Sequence, residues 1–401
     1  MRKRRPGHET SAPLPLAPRP VYRAARTLVA YWLGDRLALH NYRSQRLAAG
    51  SPLAVQILDF LRVWRTADEV GTAFSAHPRR FLEGVLRRLE RFTLVERWVG
   101  PNPPPSEPTP PWGEWSPVAD FFHFATKDQA RAKGDALQEQ ERALEAQAAA
   151  DPAPPALKAY PEAVTIALPT RTEAGEFASV LRSRRTWRGF SPEPLPAQDL
   201  GTLLDLTFGV RFWGDAGGGT RVMFKTSPSS GARHPLEAYV AALRVDGVPR
   251  GLYHYAPDSS RLERIRAGAS PRELEGFLAG QWWYRTAAAV VFMAAVLPRS
   301  RWRYPFPRVY RSILLETGHF CQTFLLTATW LKLAPFCTAA LADSRVERAF
   351  GLDGIDEVVL YAAGVGVRPR GMEGWVQWPG HEPGRPYVRP GRATRTRAKR
   401  A

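Results

Sequence analysis

The fold of this chain turns on the stretch Lys225-Thr226-Ser227-Pro228-Ser229-Ser230-Gly231-Ala232-Arg233-His234-Pro235-Leu236-Glu237. Small hydroxylic residues, a glycine and two prolines lead directly into an apolar run from Ala238 to Val245. Such a loop lets backbone N–H groups approach a flat polar ligand closely; an ordinary tight turn is the plainer alternative. The run after it predicts a strand, and Gly251-Leu252-Tyr253-His254-Tyr255 predicts another. Ala287 to Leu297 is too continuously apolar for a strand with one wet face, and Val358 to Val365 closes the set. Leu200, Leu203, Leu204 and Leu206 suggest a helix; Arg311 to Leu331 reads as a long helix apolar on one side, and Asp343 to Phe350 as a short one. Helices and strands are interspersed without a strict βαβ rhythm, which predicts an α+β domain. No internal repeat, P-loop or G-x-G-x-x-G is present.

Composition bounds the rest. The 401 residues allow two or three domains. With 44% hydrophobic and 11% aromatic residues a sizeable core can be buried, so disorder of the whole chain is excluded. Cys321 and Cys337 are the only cysteines, which excludes a disulfide framework and a Cys-rich zinc site and fits a cytoplasmic protein; no metal ligand set is read. The best apolar run, Ala287 to Leu297, ends at Pro298, well short of the ~20 residues a bilayer needs. Arg2-Lys3-Arg4-Arg5 is not followed by an unbroken apolar stretch, so no signal peptide is read. Lys plus Arg outnumber Asp plus Glu by 56 to 38, a net +18, much of it in tails such as Arg385, Arg389, Arg392 and Arg395. Such tails read as solvated ends, or as lures for an acidic partner.

The expected organisation is a disordered basic N-terminus (1–30), a small winged-helix-like domain (31–98), a Pro-rich linker and polar helix (99–160), the α+β domain (161–372) and a basic tail (373–401). In the front block Leu37, Leu39 and Tyr42 alternate as a short strand would. Pro52 then opens a helical run through Leu53, Ile57, Leu58 and Leu61. Thr66 is a candidate N-cap, Phe81, Leu82, Val85, Leu86 and Leu89 mark a third helix, and Leu94, Val95 and Trp98 look extended. Helices followed by a strand make a winged-helix pattern. The shape alone does not say whether it docks a peptide or partner, serves structure, or reads DNA; mixed Arg and Glu on the third helix argue against DNA.

Two further clusters could carry chemistry. Arg184-Arg185-Thr186-Trp187-Arg188-Gly189-Phe190 combines guanidinium groups with a hydroxyl in one turn, as a dianionic phosphate requires, or is a solvated basic helix end. Arg303-Tyr304, Arg308 and Tyr310-Arg311 precede Glu316-Thr317-Gly318-His319 and Gln322; Gly318 would allow close packing, and His319 reads more plainly as a hydrogen-bonded helix histidine.

Together, and in this order, the clusters resemble the nitroreductase-fold flavoproteins, and among them the SagB/ThcOx-type peptide dehydrogenases that oxidise azolines to azoles. The resemblance covers about Leu181 to Gly366 and extends weakly to Phe122-His123-Phe124-Ala125-Thr126. It implies a nitroreductase-like FMN-binding domain. Arg184, Thr186 and Arg188, with the neighbouring Arg185, would bind the FMN phosphate. Pro228, Ser229, Ser230 and Gly231 would meet the ribityl chain and ring edge; Ala334, Pro335 and Phe336 would shield the isoalloxazine, and Arg368 would add a phosphate cation. Arg303-Tyr304 stands where azoline oxidases of the family often carry Lys-Tyr, and Arg233-His234 replaces a small residue followed by Tyr. Arg is always charged and cannot be a base.

The implied activity is FMN-dependent oxidation of thiazoline or oxazoline rings in a ribosomally made peptide. Tyr304 is the first candidate for the proton role and His234 the second, with Arg303 orienting the peptide. The implied partners are a modified precursor peptide, a cyclodehydratase and a second copy of the chain, with neither membrane nor nucleic acid. The alternatives are an NAD(P)H-dependent flavin reductase acting on small molecules, a non-catalytic scaffold of a peptide-modifying complex, and a DNA-binding regulator with a flavin sensor.

Overall fold

The computed structural model describes residues 19–104, 112–128, 175–215 and 221–370, with scattered positions between 142 and 168. The basic tail, the first residues and most of the Pro-rich and polar stretch lie outside the described residues. The chain divides into two compact units, Met1–Thr126 and Lys127–Ala401.

In the first unit β1 (Val21–Ala24) pairs with β5 (Arg65–Thr66) and β6 (Val95–Trp98), and β2 (Leu28–Leu33), β3 (Arg36–Asn41) and β4 (Arg46–Ala49) form an antiparallel meander. Ser51 caps α1 (Pro52–Phe60) by accepting the Ala54 N–H, with Pro52 at the first turn, where its missing N–H costs nothing. Thr66 and Glu69 close a capping box on α2 (Ala67–Ala73). α3 (Arg79–Arg91) buries Leu82, Leu86 and Leu89 and turns Arg80, Arg87, Arg88 and Arg91 to solvent. Tyr22, Leu39, Ile57, Leu61, Val70 and Leu94 complete this core.

Two expectations are corrected here. The N-terminal stretch to residue 30 was to be disordered, yet β1 and the start of β2 lie in it. β1 is too short for periodicity to reveal and gains its ladder from strands far along the chain. The stretch from Trp112 to Thr126, expected in the linker, belongs to the first unit. Trp112 and Trp115 are buried, and on α4 (Val118–Thr126) Asp120 accepts hydrogen bonds from Tyr42 Oη (2.9 Å) and Ser116 Oγ (2.5 Å).

The second unit is α+β. α5 (Glu176–Ser183) and α6 (Ala197–Phe208) precede a hairpin of β7 (Phe212–Asp215) and β8 (Arg221–Phe224). The main sheet comprises β9 (Leu236–Ala242), β10 (Gly251–Ala256), β11 (Arg261–Ala267), β12 (Ala289–Val296), β13 (Ala334–Thr338) and β14 (Glu357–Gly366). Its order is β11-β10-β9-β12-β14-β13, every pair antiparallel. β9 is buried throughout and β12 nearly so, because helices cover both faces. α9 (Val309–Trp330) lies against β13 and β14, after the short α8 (Leu297–Arg301). α7 (Pro271–Phe277) and α10 (Asp343–Phe350) contribute Leu274, Phe277, Val346 and Phe350 to one core. The edge strand β11 was not anticipated: it is charged at four of its positions and almost wholly exposed, as a solvated edge is, and shows no two-residue apolar period. Among the described residues, no helix is long and apolar enough to cross a membrane.

Candidate active site

The serine loop joins β8 to β9 along one side of α9. Ser227 Oγ lies 2.8 Å from Thr323 Oγ1 of that helix. Ser229 Oγ accepts the His234 N–H at 2.8 Å and so closes the turn. Gly231 sits at φ +61°, and a Cβ there would stand 2.5 Å from Tyr304 Oη and 2.7 Å from Arg303 Nε. The glycine is therefore required twice, for its backbone angle and for the close approach. Tyr304 and Arg303, distant in sequence, thus arrive on the loop itself. Arg303 Nε donates to Tyr304 Oη at 3.2 Å. Arg233 lays its guanidinium over the Trp302 ring, 4.8 Å from the centroid, with Nε and Nη1 buried and without a hydrogen-bond partner among the described residues.

Behind the loop lies a group of charged side chains that sequence reasoning had not assembled. His234 is 2% exposed and Glu316, on α9, 3%. Burial, with help from the cations Lys225 and Arg299, pushes the His234 imidazole down to about 4. Burial likewise pushes the Glu316 carboxyl up to about 7, against the opposing pull of Ser229, Lys225 and the Ser230 N–H. Lys225 is lowered to about 8, chiefly by burial. Glu237 accepts from Arg299 Nη1 at 2.5 Å and lies 3.2 Å from His254 Nε2. Glu316 was legible only as a charge inside an apolar helical run, and Lys225 only as the residue heading the loop.

The arginine turn follows α5 and is tied to the sheet edge: Trp187 N–H donates to the Pro335 carbonyl and Ser191 N–H to that of Val367, both at 2.9 Å. Its cations divide by role. Arg184 makes no side-chain hydrogen bond to the described residues and lies within electrostatic reach of Cys321 and Cys337. Arg185 bends back to the carbonyls of Arg182 and Arg184 (2.6 and 2.8 Å), and Arg188 donates to the Tyr284 hydroxyl. Thr186 is half-buried beside them. Arg368, expected near a phosphate, instead donates to the Leu333 and Thr329 carbonyls at the end of α9, over the Trp187 ring. There it ties the last strand to the turn after the helix, sharing the Thr329 carbonyl with the Lys332 N–H. Phe336, expected over a cofactor, is fully buried: its ring stacks on Tyr284 at 3.8 Å, above Gly364, where a Cβ would come within 2.1 Å of it. Ala334 and Pro335 are buried on β13 beside it. The serine loop and the arginine turn both approach one turn of α9, at Thr323 and near Cys321. Residues two apart on a helix face opposite sides, so within one chain the two segments flank the helix. Gly318 is exposed, and a Cβ there would meet nothing within 4 Å among the described residues, so the close packing expected of it is not made by them.

Residues 181–367, which carry both loops and the sheet, match the model of the nitroreductase family. Over 167 residues the chain is 34% identical to a protein of Methanocaldococcus jannaschii assigned as a nitroreductase, covering 42% of this chain and 80% of that one. The chain belongs to the nitroreductase family. This nitroreductase-family protein is also 33% identical over 144 residues to the trifolitoxin-processing protein TfxB of Rhizobium leguminosarum bv. trifolii, covering 34% of this chain and 38% of that protein. A crystal structure from Anabaena variabilis, also assigned as a nitroreductase, matches at 28% identity with a TM-score of 0.41, over 48% of this chain and 38% of that one. The family match leaves the first unit uncovered, since it begins at residue 181.

Proposed function

We propose that the protein is an FMN-dependent oxidoreductase that oxidises azoline rings to azoles in a ribosomally made peptide. The observation that carries this reading is the meeting of Tyr304 Oη and Arg303 with Gly231 of the serine loop. It puts a hydroxyl proton carrier and a fixed cation on the segment best suited to lie along a flat ring. The likeness to TfxB, a toxin-processing protein by name, supports a peptide as substrate.

The residues fit the cofactor. Arg184, which makes no side-chain hydrogen bond to the described residues, and Thr186 supply donors for a phosphate, and Arg233 holds two buried donors without a hydrogen-bond partner among those residues. Pro228, Ser229, Ser230 and Gly231 offer backbone to a ring edge. Arg185, Arg188 and Arg368 hold the chain around that site. When bound, FMN supplies the hydride acceptor that azoline oxidation needs. Tyr304 takes the ring-carbon proton and passes it on. Arg303 orients the Tyr304 hydroxyl and binds a substrate carbonyl; being always charged, it takes no proton. In this reading the first unit is winged-helix-like and docks the peptide leader or a cyclodehydratase. A second copy of the chain meets the exposed side of α9, where Leu314 and Leu315 are 37% and 66% exposed.

A visible spectrum of the purified protein, followed by anaerobic addition of an azoline peptide without nicotinamide, tests the proposal. A flavin spectrum that bleaches on peptide addition is the expected result. Bleaching by NADPH alone would favour a small-molecule reductase; a colourless protein would favour a scaffold.

A further inference from the structure

Two buried polar atoms face one another behind the serine loop, and neither has a hydrogen-bond partner among the described residues. His234 Nδ1 and Glu316 Oε1 are 3.9 Å apart, their side chains 3% and 4% exposed. Leaving two buried polar atoms unsatisfied is costly, so a proton between them is the economical arrangement. The gap is about 1 Å beyond hydrogen-bond length, within reach of a small side-chain rotation. The pair is held from several elements. The His234 carbonyl accepts from Arg299 Nη1 of α8 at 3.1 Å, the imidazole meets the Phe320 ring edge-on at 6.1 Å, and the Glu316 carboxyl engages Ser229 and the Ser230 N–H. The other charge acting on both groups is Lys225, just after β8, which itself lies within reach of Glu237 on β9.

We propose that His234 and Glu316 form a proton relay: a proton taken up at imidazole Nε2 is held on the Glu316 carboxyl, and the imidazole changes tautomer as it passes the proton on. In the uptake state Glu316 is a carboxylate accepting from Nδ1–H, and Nε2 carries a lone pair. An incoming proton bonds to Nε2 while the Nδ1–H bond breaks and an Oε1–H bond forms. The imidazole begins and ends neutral, the carboxylate becomes a carboxylic acid, and one proton has been stored without an electron moving. A neutral imidazole is what burial between Lys225 and Arg299 favours, because a lasting imidazolium there would be repelled. The carboxyl is poised to load and unload near neutrality. This revises the role of His234 from a base in its own right to a conductor. His234 and Glu316 are positioning residues: Ser229 joins them to the loop, with its hydroxyl accepting from the His234 N–H and engaging the Glu316 carboxyl.

The use of the relay, to receive the proton released at Tyr304, rests on the oxidoreductase reading above; its existence does not. The test is nitrogen NMR of the full chain labelled at histidine, without substrate. The His234 signal should switch from the Nε2–H to the Nδ1–H tautomer as pH rises through about 7. A component of the carboxylic-acid C=O infrared band should vanish over the same interval and be absent from Glu316→Gln. A His234 locked in one tautomer throughout, or a band component titrating near 7 that survives in Glu316→Gln, overturns the relay; Asp343, pushed up to about 6 by burial, contributes its own component in both proteins. The tautomer measurement uses the unaltered protein and so does not depend on any variant folding. A tautomer switch in a protein that binds no flavin would leave the relay standing and sink the oxidase reading. Peptide oxidation without a switch would do the reverse.

Discussion

Tyr304 is held at the serine loop by Arg303, which donates to its hydroxyl. Removing that hydroxyl removes the proposed proton carrier and little packing. Tyr304→Phe should therefore retain flavin while peptide oxidation falls by about 10²–10⁴-fold, the usual worth of a positioned acid or base; rapid-mixing reduction by an azoline peptide checks this. The His234–Glu316 pair makes a prediction about stability. Glu316 is raised from 4.5 to about 7, so its contribution is full below pH 4.5 and lost as pH rises through 7. His234 is lowered from 6.5 to about 4, so its contribution is present above pH 6.5 and lost as pH falls toward 4. Between pH 4.5 and 6.5 the two slopes oppose each other. The unaltered pair should thus contribute almost no slope there. Glu316→Gln should gain stability with rising pH over that window and His234→Phe should lose it, as urea unfolding of the two variants at a series of pH values would show.

At the scale of elements, the loop between β8 and β9 has the least tolerance. Gly231→Ala puts a residue with a Cβ into a left-handed backbone conformation, about 1–2 kcal/mol, and drives a methyl into Tyr304 Oη. The sheet should survive, because β9 takes its stability from β10 and β12 on either side. The expected outcome is an unchanged far-ultraviolet circular dichroism spectrum with strongly reduced peptide oxidation; a fully active variant would separate Tyr304 from the reaction. Much at this scale was legible beforehand. Asp343–Phe350 and the Thr66 cap were read directly, and α9 began two residues earlier than expected, at Val309. Their apolar spacing and end residues act locally. The edge strand β11 and the short β1 were not legible, because an edge strand carries charge on its wet side and a four-residue strand has too few positions to show a period.

At the scale of the molecule, α9 leaves Leu314, Leu315 and Gly318 uncovered on one side while the other is buried on the sheet. Leu315→Arg should convert a dimer in sedimentation-velocity measurements to a monomer with unchanged helical content; an unaltered protein that sediments as a monomer would refute the pairing. The residue sequence by itself determined the helices at 200–206, 311–331 and Asp343–Phe350 and the buried strands that begin near Ala238, Ala287 and Val358, because periodicity and end capping are properties of neighbours along the chain. Only the tertiary structure decided that Tyr304 lands on Gly231, that Arg368 binds the turn after α9, that Phe336 fills the core, and that Glu316 faces His234. Each of those depends on burial and on contacts between distant segments, and it is burial that turns an ordinary carboxyl and an ordinary imidazole into a pair able to pass a proton.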